Sequence, residues 1–242
     1  GGIGAPPGTY AEYALVDERF AAAKPASLGF AEAAAAPLVC ITAWEALHDR
    51  GRIQADQRVL VHAGAGGVGH IAIQLAKAAG CTVATTVSSE EKAAFVRGLG
   101  ADQPVDYTAG DWVSAVTEWA DGRGVDVALD TVGGSTFQQT FGAVRPYGDL
   151  ISLLQPSGDT DWKQARLRNL RTSLELMLSP MFFGWQDAQA HQSWILERCA
   201  RLFDEERLRV SVATCLPLDE AAEAHRRIEA GGMMGKAVLT ID

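Results

Sequence analysis

The chain has 242 residues, of which 48% are hydrophobic and 21% are charged, and its formal net charge is −9. This composition suits one large or two modest globular domains and excludes a wholly disordered chain. An acidic chain repels phosphate backbones, so we expect no nucleic-acid partner. The sequence has no run of the ~18 apolar residues that a spanning helix needs, so we expect no membrane partner.

The first part of the chain mixes extended and helical signals. Tyr10–Val16 reads as extended, and Leu28–His48 reads as helical with an interruption at Pro37 and Ser27 as a candidate N-cap. Arg58–Ala63 is a short apolar run that stops at glycines, which predicts a buried strand.

From there the chain alternates between helical and strand patterns. The predicted helices are Val68–Ala79, Glu90–Leu99, Val113–Trp119, Ser135–Val144 and Arg166–Leu170. The predicted strands that alternate with them are Cys81–Val87, Gln103–Tyr107, Val125–Thr131, Asp149–Leu154 and Thr172–Leu178. Such alternation indicates parallel β-α-β units, and therefore an α/β fold with a doubly wound parallel sheet.

After Pro180 the regular alternation of predicted strands and helices ends. Gln186–Leu208 reads as one long helix, and Val210–Leu216 reads as a strand. Asp219 is a candidate cap of a helix that runs to Ala230. A final strand is predicted over 237–241, and this tail need not belong to the parallel sheet.

A glycine-rich loop lies between the first predicted strand of the alternating region and its first helix. The segment Gly64-Ala65-Gly66-Gly67-Val68-Gly69 matches G-x-G-x-x-G in the strand–loop–helix context that a dinucleotide site requires. Its glycines allow a tight turn, close approach of a pyrophosphate and close helix–strand packing. We therefore predict a Rossmann dinucleotide site; the alternatives are a glycine turn without a ligand and a methyl-donor cofactor.

The end of the next strand favours one cofactor over another. A site for NAD usually carries an acidic residue there, which bonds the ribose hydroxyls. Here Ser88, Ser89 and Lys92 offer hydroxyls and a cation, which suit a 2′-phosphate, and they favour NADPH. The alternatives are that Ser88 caps the next helix in a capping box with Glu91, and that Lys92 is an ordinary surface lysine.

Several segments together resemble a known superfamily. They are Gly8-Thr9-Tyr10-Ala11-Glu12-Tyr13, the run from Ala33 to Leu38 with Thr42-Ala43-Trp44, the glycine loop, Thr86–Lys92, Leu129–Gly134, Pro217–Ala221 and Gly235–Leu239. In combination they are similar to the medium-chain dehydrogenase/reductases, most of all the zinc-independent quinone oxidoreductase branch.

The resemblance implies a division into domains. Residues 1–38 would be the end of a chaperonin-10-like, β-rich catalytic domain, 39–180 the NADP-binding Rossmann domain, and 181–242 a segment that returns to the catalytic domain. It also implies that the chain begins inside the catalytic domain, so we expect the first part of that domain to be absent.

The resemblance also assigns roles to residues. Gly66, Gly67 and Val68 would face the pyrophosphate, with Gly64 and Gly69 completing the cofactor-binding loop. Ser88, Lys92 and Tyr107 would surround the 2′-phosphate, with Ser89 beside them. Thr42 would contact the nicotinamide side, Val132 and Gly133 would border the ribose, and Lys236 would reach a phosphate. For Tyr107 the alternative is packing within its own domain. Asp130 is a candidate strand-end cap, His62 is expected to be structural, and no catalytic residue is assigned.

No metal is predicted. The cysteines Cys40, Cys81, Cys199 and Cys215 form no C-x-x-C pair and read as small buried residues of a reducing compartment. In zinc members of the superfamily, a ligand cysteine would stand at the position of Leu38. We therefore expect Cys40 to be a core or pocket-wall residue.

These features predict a cytoplasmic NADPH-dependent oxidoreductase that transfers hydride to a quinone, an enone or a similar conjugated carbonyl. The alternatives are a crystallin-like protein that binds NADPH without significant turnover, and a zinc-type alcohol dehydrogenase. The apolar strand predicted over Thr172–Leu178 would lie at a sheet edge, and the resemblance implies that it pairs in a homodimer.

Overall fold

The computed structural model describes residues 8–241. They form two compact units: one is Thr42–Glu175, and the other combines residues 8–41 with 176–241. No helix of these described residues is long and apolar enough to cross a membrane.

The unit Thr42–Glu175 contains a six-stranded, fully parallel sheet in the order β3-β2-β1-β4-β5-β6. Its strands are β1 (Arg58–Val61), β2 (Thr82–Val87), β3 (Gln103–Asp106), β4 (Val125–Asp130), β5 (Val144–Ser152) and β6 (Arg171–Leu174). The intervening helices are α3 (Gly69–Ala78), α4 (Glu90–Gly98), α5 (Trp112–Trp119), α6 (Gly134–Ala143) and α7 (Lys163–Leu167). The predicted doubly wound α/β sheet is therefore confirmed.

The order of the strands reverses between β1 and β4. The chain runs outward from β1 to β3, then returns to place β4 on the other side of β1. In open parallel sheets, ligands bind beyond the carboxyl ends of the strands at this reversal. The glycine loop follows β1, so the fold puts it at that point.

The core of this unit packs against the buried strands. Residues of α5 and α6, above all Trp112, Val116, Phe137 and Phe141, cover Leu60, Ala84, Ala128 and Leu150 of the sheet. The central strands β1, β2 and β4 are buried along nearly their whole length, as expected for strands covered on both faces of a parallel sheet.

Two strands differ from their predicted extents by more than two residues at one end. β5 begins at Val144 instead of Asp149, because its register against β4 shifts between Val125 and Val127, and the extra residues are accommodated there. β6 ends at Leu174 rather than Leu178. Pro146 and Gly148, which lie between the predicted helix and the predicted strand, are part of this irregular strand.

The second unit has a small sheet of its own, as the sequence suggested. Its two strands, β7 (Val212–Pro217) and β8 (Lys236–Thr240), are parallel and are joined through α10 (Ala221–Ala230). The other helices are α1 (Phe30–Ala35), α8 (Ser179–Phe182) and α9 (Gln186–Asp204), with short 3-10 turns at Glu18–Phe20 and Leu218–Glu220. The helix α2 (Pro37–Trp44) crosses the boundary of the two units and continues as a wider turn over Glu45–Arg50.

Tyr10–Val16, which reads as extended, forms bends and irregular structure without a regular element. Two local predictions in this unit are wrong. The N-cap of α1 is Gly29 rather than Ser27, whose backbone N–H donates instead to Asp204. Asp219 lies in a 3-10 turn, and Glu220 is the N-cap of α10.

Candidate functional site

The glycine loop is shaped by close packing. The chain turns at Ala63, whose φ is 48°, and the Gly66 N–H donates to the Ala63 carbonyl at 2.8 Å. A Cβ atom on Gly64 would overlap the Thr85 hydroxyl, and one on Gly69 would overlap the Ala63 carbonyl oxygen. These two glycines let β1, β2 and α3 approach one another, as the predicted roles of the first and third motif glycines require.

The start of α3 has the character of an anion site. Gly66, Gly67 and Val68 are partly exposed, whereas Gly64 and Gly69 are buried. The N-cap residue Val68 offers no side-chain hydrogen bond to the first turn. A helix N-terminus without a side-chain cap presents backbone N–H groups and partial positive charge to an anion.

Ser88 and Lys92 meet just beyond the end of β2. The Lys92 Nζ donates to the Ser88 Oγ at 2.9 Å, and both side chains are partly buried. The nearest carboxylate along the chain, Glu90, forms an ion pair with Arg97 at 2.6 Å. A cation and a hydroxyl are thus brought together where an NAD site would carry an acid.

The helix cap at this point is Ser89 and not Ser88. The Ser89 Oγ accepts from the Lys92 backbone N–H at 3.2 Å, which excludes the capping box predicted for Ser88 with Glu91. The extended backbone of Ser89 places its side chain over the first turn of α4. Ser88 is consequently left to hold the Lys92 side chain.

Tyr107 lies beside this pair. Its backbone N–H donates to the carbonyl of Val87, the last residue of β2, at 3.1 Å. The side chain is 51% exposed and lines a cavity. About half of the side chain is therefore open, and the role of Tyr107 toward a cofactor remains a prediction.

Val132 and Gly133 form the turn after β4, and Asp130 holds that turn. The Asp130 Oδ1 accepts from both backbone N–H groups at 2.9 Å, and the Ser152 hydroxyl donates to its Oδ2 at 2.9 Å. Gly133 has a φ of 75°. The prediction that Asp130 is a strand-end cap is confirmed.

His62, the residue after β1, is fully buried and hydrogen-bonded on both ring nitrogens. Nδ1 lies 3.2 Å from the Thr86 Oγ1 and Nε2 lies 2.9 Å from the Thr140 Oγ1. The Thr140 hydroxyl already donates to a backbone carbonyl, while the Thr86 hydroxyl accepts from the Ala63 N–H. These bonds assign a neutral ring with hydrogen on Nε2. Burial lowers the pKa of His62 to about 4, with the nearby Asp130 acting in the opposite direction.

A cavity of about 580 Å³ opens at the carboxyl ends of these strands. It is lined by His62, Ala63, Thr86, Tyr107, Gly110, Asp111, Trp112, Val113, Val132, Thr136 and Gln139. Residues that follow β1, β3 and β4 therefore converge on one space. Its walls are mainly apolar with a few polar groups, as is usual for a small-molecule site.

Some of these residues were not predicted from the sequence. Trp112 begins α5, and Thr136 and Gln139 lie in the first and second turns of α6; the sequence predicted these segments only as helices. The sole local signal was Asp111, whose carboxylate caps α5 by accepting from the backbone N–H of Val113. A cap locates the start of a helix, but it does not show what the helix faces.

Two predicted site residues belong to other elements. Thr42 is buried in α2, and Lys236 begins β8 in the other unit. Partial burial lowers the pKa of Lys236. Their roles toward a cofactor remain predictions.

The described residues do not fit a zinc ion. Among residues 8–241, no three His, Cys, Asp or Glu side chains lie together in a way that could hold a metal. Cys40 and Cys199 are buried, and a hydrogen bond between them, together with burial, raises the pKa of Cys40 well above its usual value. Zinc binds the thiolate, which such surroundings disfavour. Leu38 is half exposed.

A protein-family model described as zinc-binding dehydrogenase matches residues 99–239. A 2-haloacrylate reductase from Burkholderia is 35% identical over 206 residues, covering 82% of this chain and 60% of that protein. A quinone oxidoreductase from Pseudomonas aeruginosa is 30% identical over 234 residues, covering 97% of this chain and 72% of that protein.

Solved structures agree with these sequence matches. A mycobacterial protein solved in complex with NADPH has a TM-score of 0.79 and 30% identity, covering 90% of this chain and 66% of that one. The chain thus spans only 60% of the 2-haloacrylate reductase and about two thirds of this structure.

Proposed function

This chain belongs to the zinc-binding dehydrogenase family, and from that premise we propose that it binds NADPH and serves hydride transfer to a conjugated carbonyl compound. Quinones, enones and 2-haloacrylates are the acceptors we expect. The observation that carries the proposal is the contact of Lys92 Nζ with Ser88 Oγ at 2.9 Å beyond the end of β2. A 2′-phosphate placed there would meet a cation and a hydroxyl donor.

The other described residues suit the remainder of that cofactor. The first turn of α3 would receive the pyrophosphate through its backbone N–H groups. Tyr107 lines the cavity, and its side chain would bound the adenosine. The turn at Val132 and Gly133, fixed by Asp130, would border the ribose.

When bound, NADPH supplies the hydride, and the protein contributes binding, orientation and electrostatics. A conjugated carbonyl accepts hydride without a metal, because the developing charge is delocalised onto oxygen. Since residues 8–241 do not fit zinc, no step of the proposal uses a metal. We assign no proton donor within the described part of the chain.

We also propose that the two units correspond to two functional parts. Thr42–Glu175 would be the nucleotide-binding domain. Residues 8–41 and 176–241 would belong to the catalytic domain, which is β-rich and chaperonin-10-like in the superfamily that the sequence resembles.

The function is tested by following NADPH oxidation with a panel of quinones, enones and 2-haloacrylates, in the wild type and in Lys92→Met. We expect turnover with at least one acceptor and a KM for NADPH raised by about tenfold to a hundredfold in the variant, the range for a lost hydrogen bond to a charged group. Lys163→Met, which removes an exposed lysine of α7, is the matched control and should behave as the wild type.

Two results would contradict the proposal. NADPH binding without oxidation by any acceptor would favour a protein that binds the cofactor without turnover. An unchanged KM for NADPH in Lys92→Met would show that Lys92 does not contact the cofactor.

A further inference from the structure

The cavity wall contains a polar pair that the proposed function does not use. The Trp112 Nε1–H donates to the Gln139 Oε1 at 3.0 Å, and both residues line the cavity. Trp112 is the first residue of α5, and Gln139 lies in α6. The bond therefore joins the two helices at the cavity.

This bond fixes which way the Gln139 amide points. An indole N–H is only a donor, so the amide oxygen has to face Trp112. The Nε2 group then carries two N–H donors, and within the described part of the chain it donates to no other protein atom. Gln139 is exposed, so these donors are available to a ligand in the cavity.

Trp112 is itself held in place. Only 8% of it is exposed, and its ring packs edge-on against His62, with 4.8 Å between the ring centroids. His62 is in turn bonded to Thr86 and Thr140. The side chain that orients the Gln139 amide, Trp112, is therefore buried and held by its own contacts.

The position of the cavity indicates which part of the cofactor it would receive. Tyr107 lines the cavity and also bonds through its backbone to Val87, the residue before Ser88. A nucleotide whose 2′-phosphate lies at Ser88 and Lys92 would have its base beside Tyr107. Among the described residues that line that space, Gln139 is the only one with a neutral side-chain amide.

We propose that the Gln139 Nε2 donates a hydrogen bond to a ring nitrogen of adenine, which makes Gln139 a specificity-determining residue for the base. This inference rests on the proposed function, because it requires the adenosine to occupy this cavity. Adenine carries acceptor nitrogens on its ring, at positions 1, 3 and 7. A correctly oriented amide N–H meets such an acceptor without reorganising.

The test measures binding of 2′,5′-ADP and of its 1-deaza, 3-deaza and 7-deaza analogues by calorimetry. Each analogue replaces one ring nitrogen by C–H and removes one acceptor. In the wild type, we expect one of the three to bind about threefold to tenfold more weakly than 2′,5′-ADP, the range for a neutral hydrogen bond. In Gln139→Met, which has no donor, that difference should disappear.

A second pair of variants separates the effect of losing the N–H donor from the effect of adding a negative charge. Gln139→Glu keeps an acceptor for Trp112 but has no N–H, so it should weaken binding of 2′,5′-ADP. Gln138→Glu is the matched control, because Gln138 is an exposed neighbour that accepts from the Asp161 N–H through Oε1, which a carboxylate preserves. It adds the same charge and should leave binding nearly unchanged.

The outcomes distinguish this inference from the proposed function. If the wild type binds 2′,5′-ADP and all three analogues equally, the inference is wrong while the NADPH site stands. If Gln138→Glu weakens binding as much as Gln139→Glu, charge accounts for the effect and the inference is again wrong. If the wild type binds neither 2′,5′-ADP nor NADPH, both proposals fail.

Discussion

The buried ring of His62 lines the cavity, and its protonation state affects the stability of the fold. The ring is neutral: Nδ1 accepts a hydrogen bond from the Thr86 hydroxyl, and the Nε2–H donates one to the Thr140 hydroxyl. Protonation would add a second N–H to the ring, at Nδ1, and would place a positive charge in a buried space. The structure therefore confirms the expectation of a structural histidine.

A pH dependence follows from the lowered pKa of His62. Its pKa is about 4 in the folded state, whereas the unfolded chain binds the same proton near 6.5. Between these values the unfolded state holds more protons, so we expect the free energy of unfolding to decrease as pH falls from about 6.5 to 4. In His62→Gln this contribution is absent.

Urea unfolding of the wild type and of His62→Gln at several pH values would measure the difference. The gap in stability between the two proteins should narrow toward pH 4 and stay constant above about pH 7. A gap that is the same at every pH would contradict the assignment of a buried, neutral His62.

Individual residues differ in how well the sequence revealed them. Ser88 and Lys92 are four positions apart around the start of a helix, so local geometry brings them together and the pattern can be read directly. Trp112 and Gln139 are 27 positions apart and meet only because α5 and α6 pack side by side. Tertiary packing of this kind leaves no periodic trace in a single sequence.

At the scale of elements, glycines and buried apolar runs marked most of the parallel sheet. Gly80 and Gly100, which follow α3 and α4, have φ values of 85° and 97°, a conformation that glycine adopts readily. The sequence predicted less well where pairing is irregular, as at the start of β5. It also missed the cap of α4, since adjacent serines offer two equivalent choices and the structure puts the cap at Ser89, whose backbone is extended.

The junction of β4 and α6 depends on Asp130. Removal of its carboxylate in Asp130→Ala would leave the backbone N–H groups of Val132 and Gly133 without their acceptor. We expect a loss of about 1–3 kcal/mol in the free energy of unfolding, the cost of an unsatisfied polar group. The measurement is chemical denaturation of the purified variant.

Asp130→Asn is the control for this prediction. It keeps an oxygen that can accept from the same two N–H groups, so it should be less destabilised than Asp130→Ala. Equal losses in the two variants would show that the carboxylate does not act as the cap of this turn.

At the scale of the whole molecule, the net charge of the chain has the same sign as the charge of the proposed cofactor. The chain is acidic, with a net charge of −9, yet the proposed ligand is an anion. Binding would then depend on local features, namely Lys92 and the first turn of α3. The overall field does not attract the ligand, so these local contacts would supply the affinity.

The edge of the sheet leads to a prediction about assembly. β6 is an edge strand of the six-stranded sheet, and its last residue, Leu174, is 54% exposed. Since an edge strand presents backbone N–H and C=O groups that can pair with a strand of another chain, we propose that two chains associate through β6. Sedimentation should give about twice the chain mass of 25.7 kDa, and Leu174→Lys should shift the protein toward monomers. A wild type that sediments at the mass of one chain would contradict this.

The central claim is that the site beyond β2 selects NADPH through a 2′-phosphate. The most direct test is a paired calorimetric titration of the wild-type chain with NADPH and with NADH. We predict that NADPH binds at least tenfold more tightly, since the contact with Lys92 and Ser88 is a charge-assisted one. Equal affinities, or tighter binding of NADH, would contradict the claim.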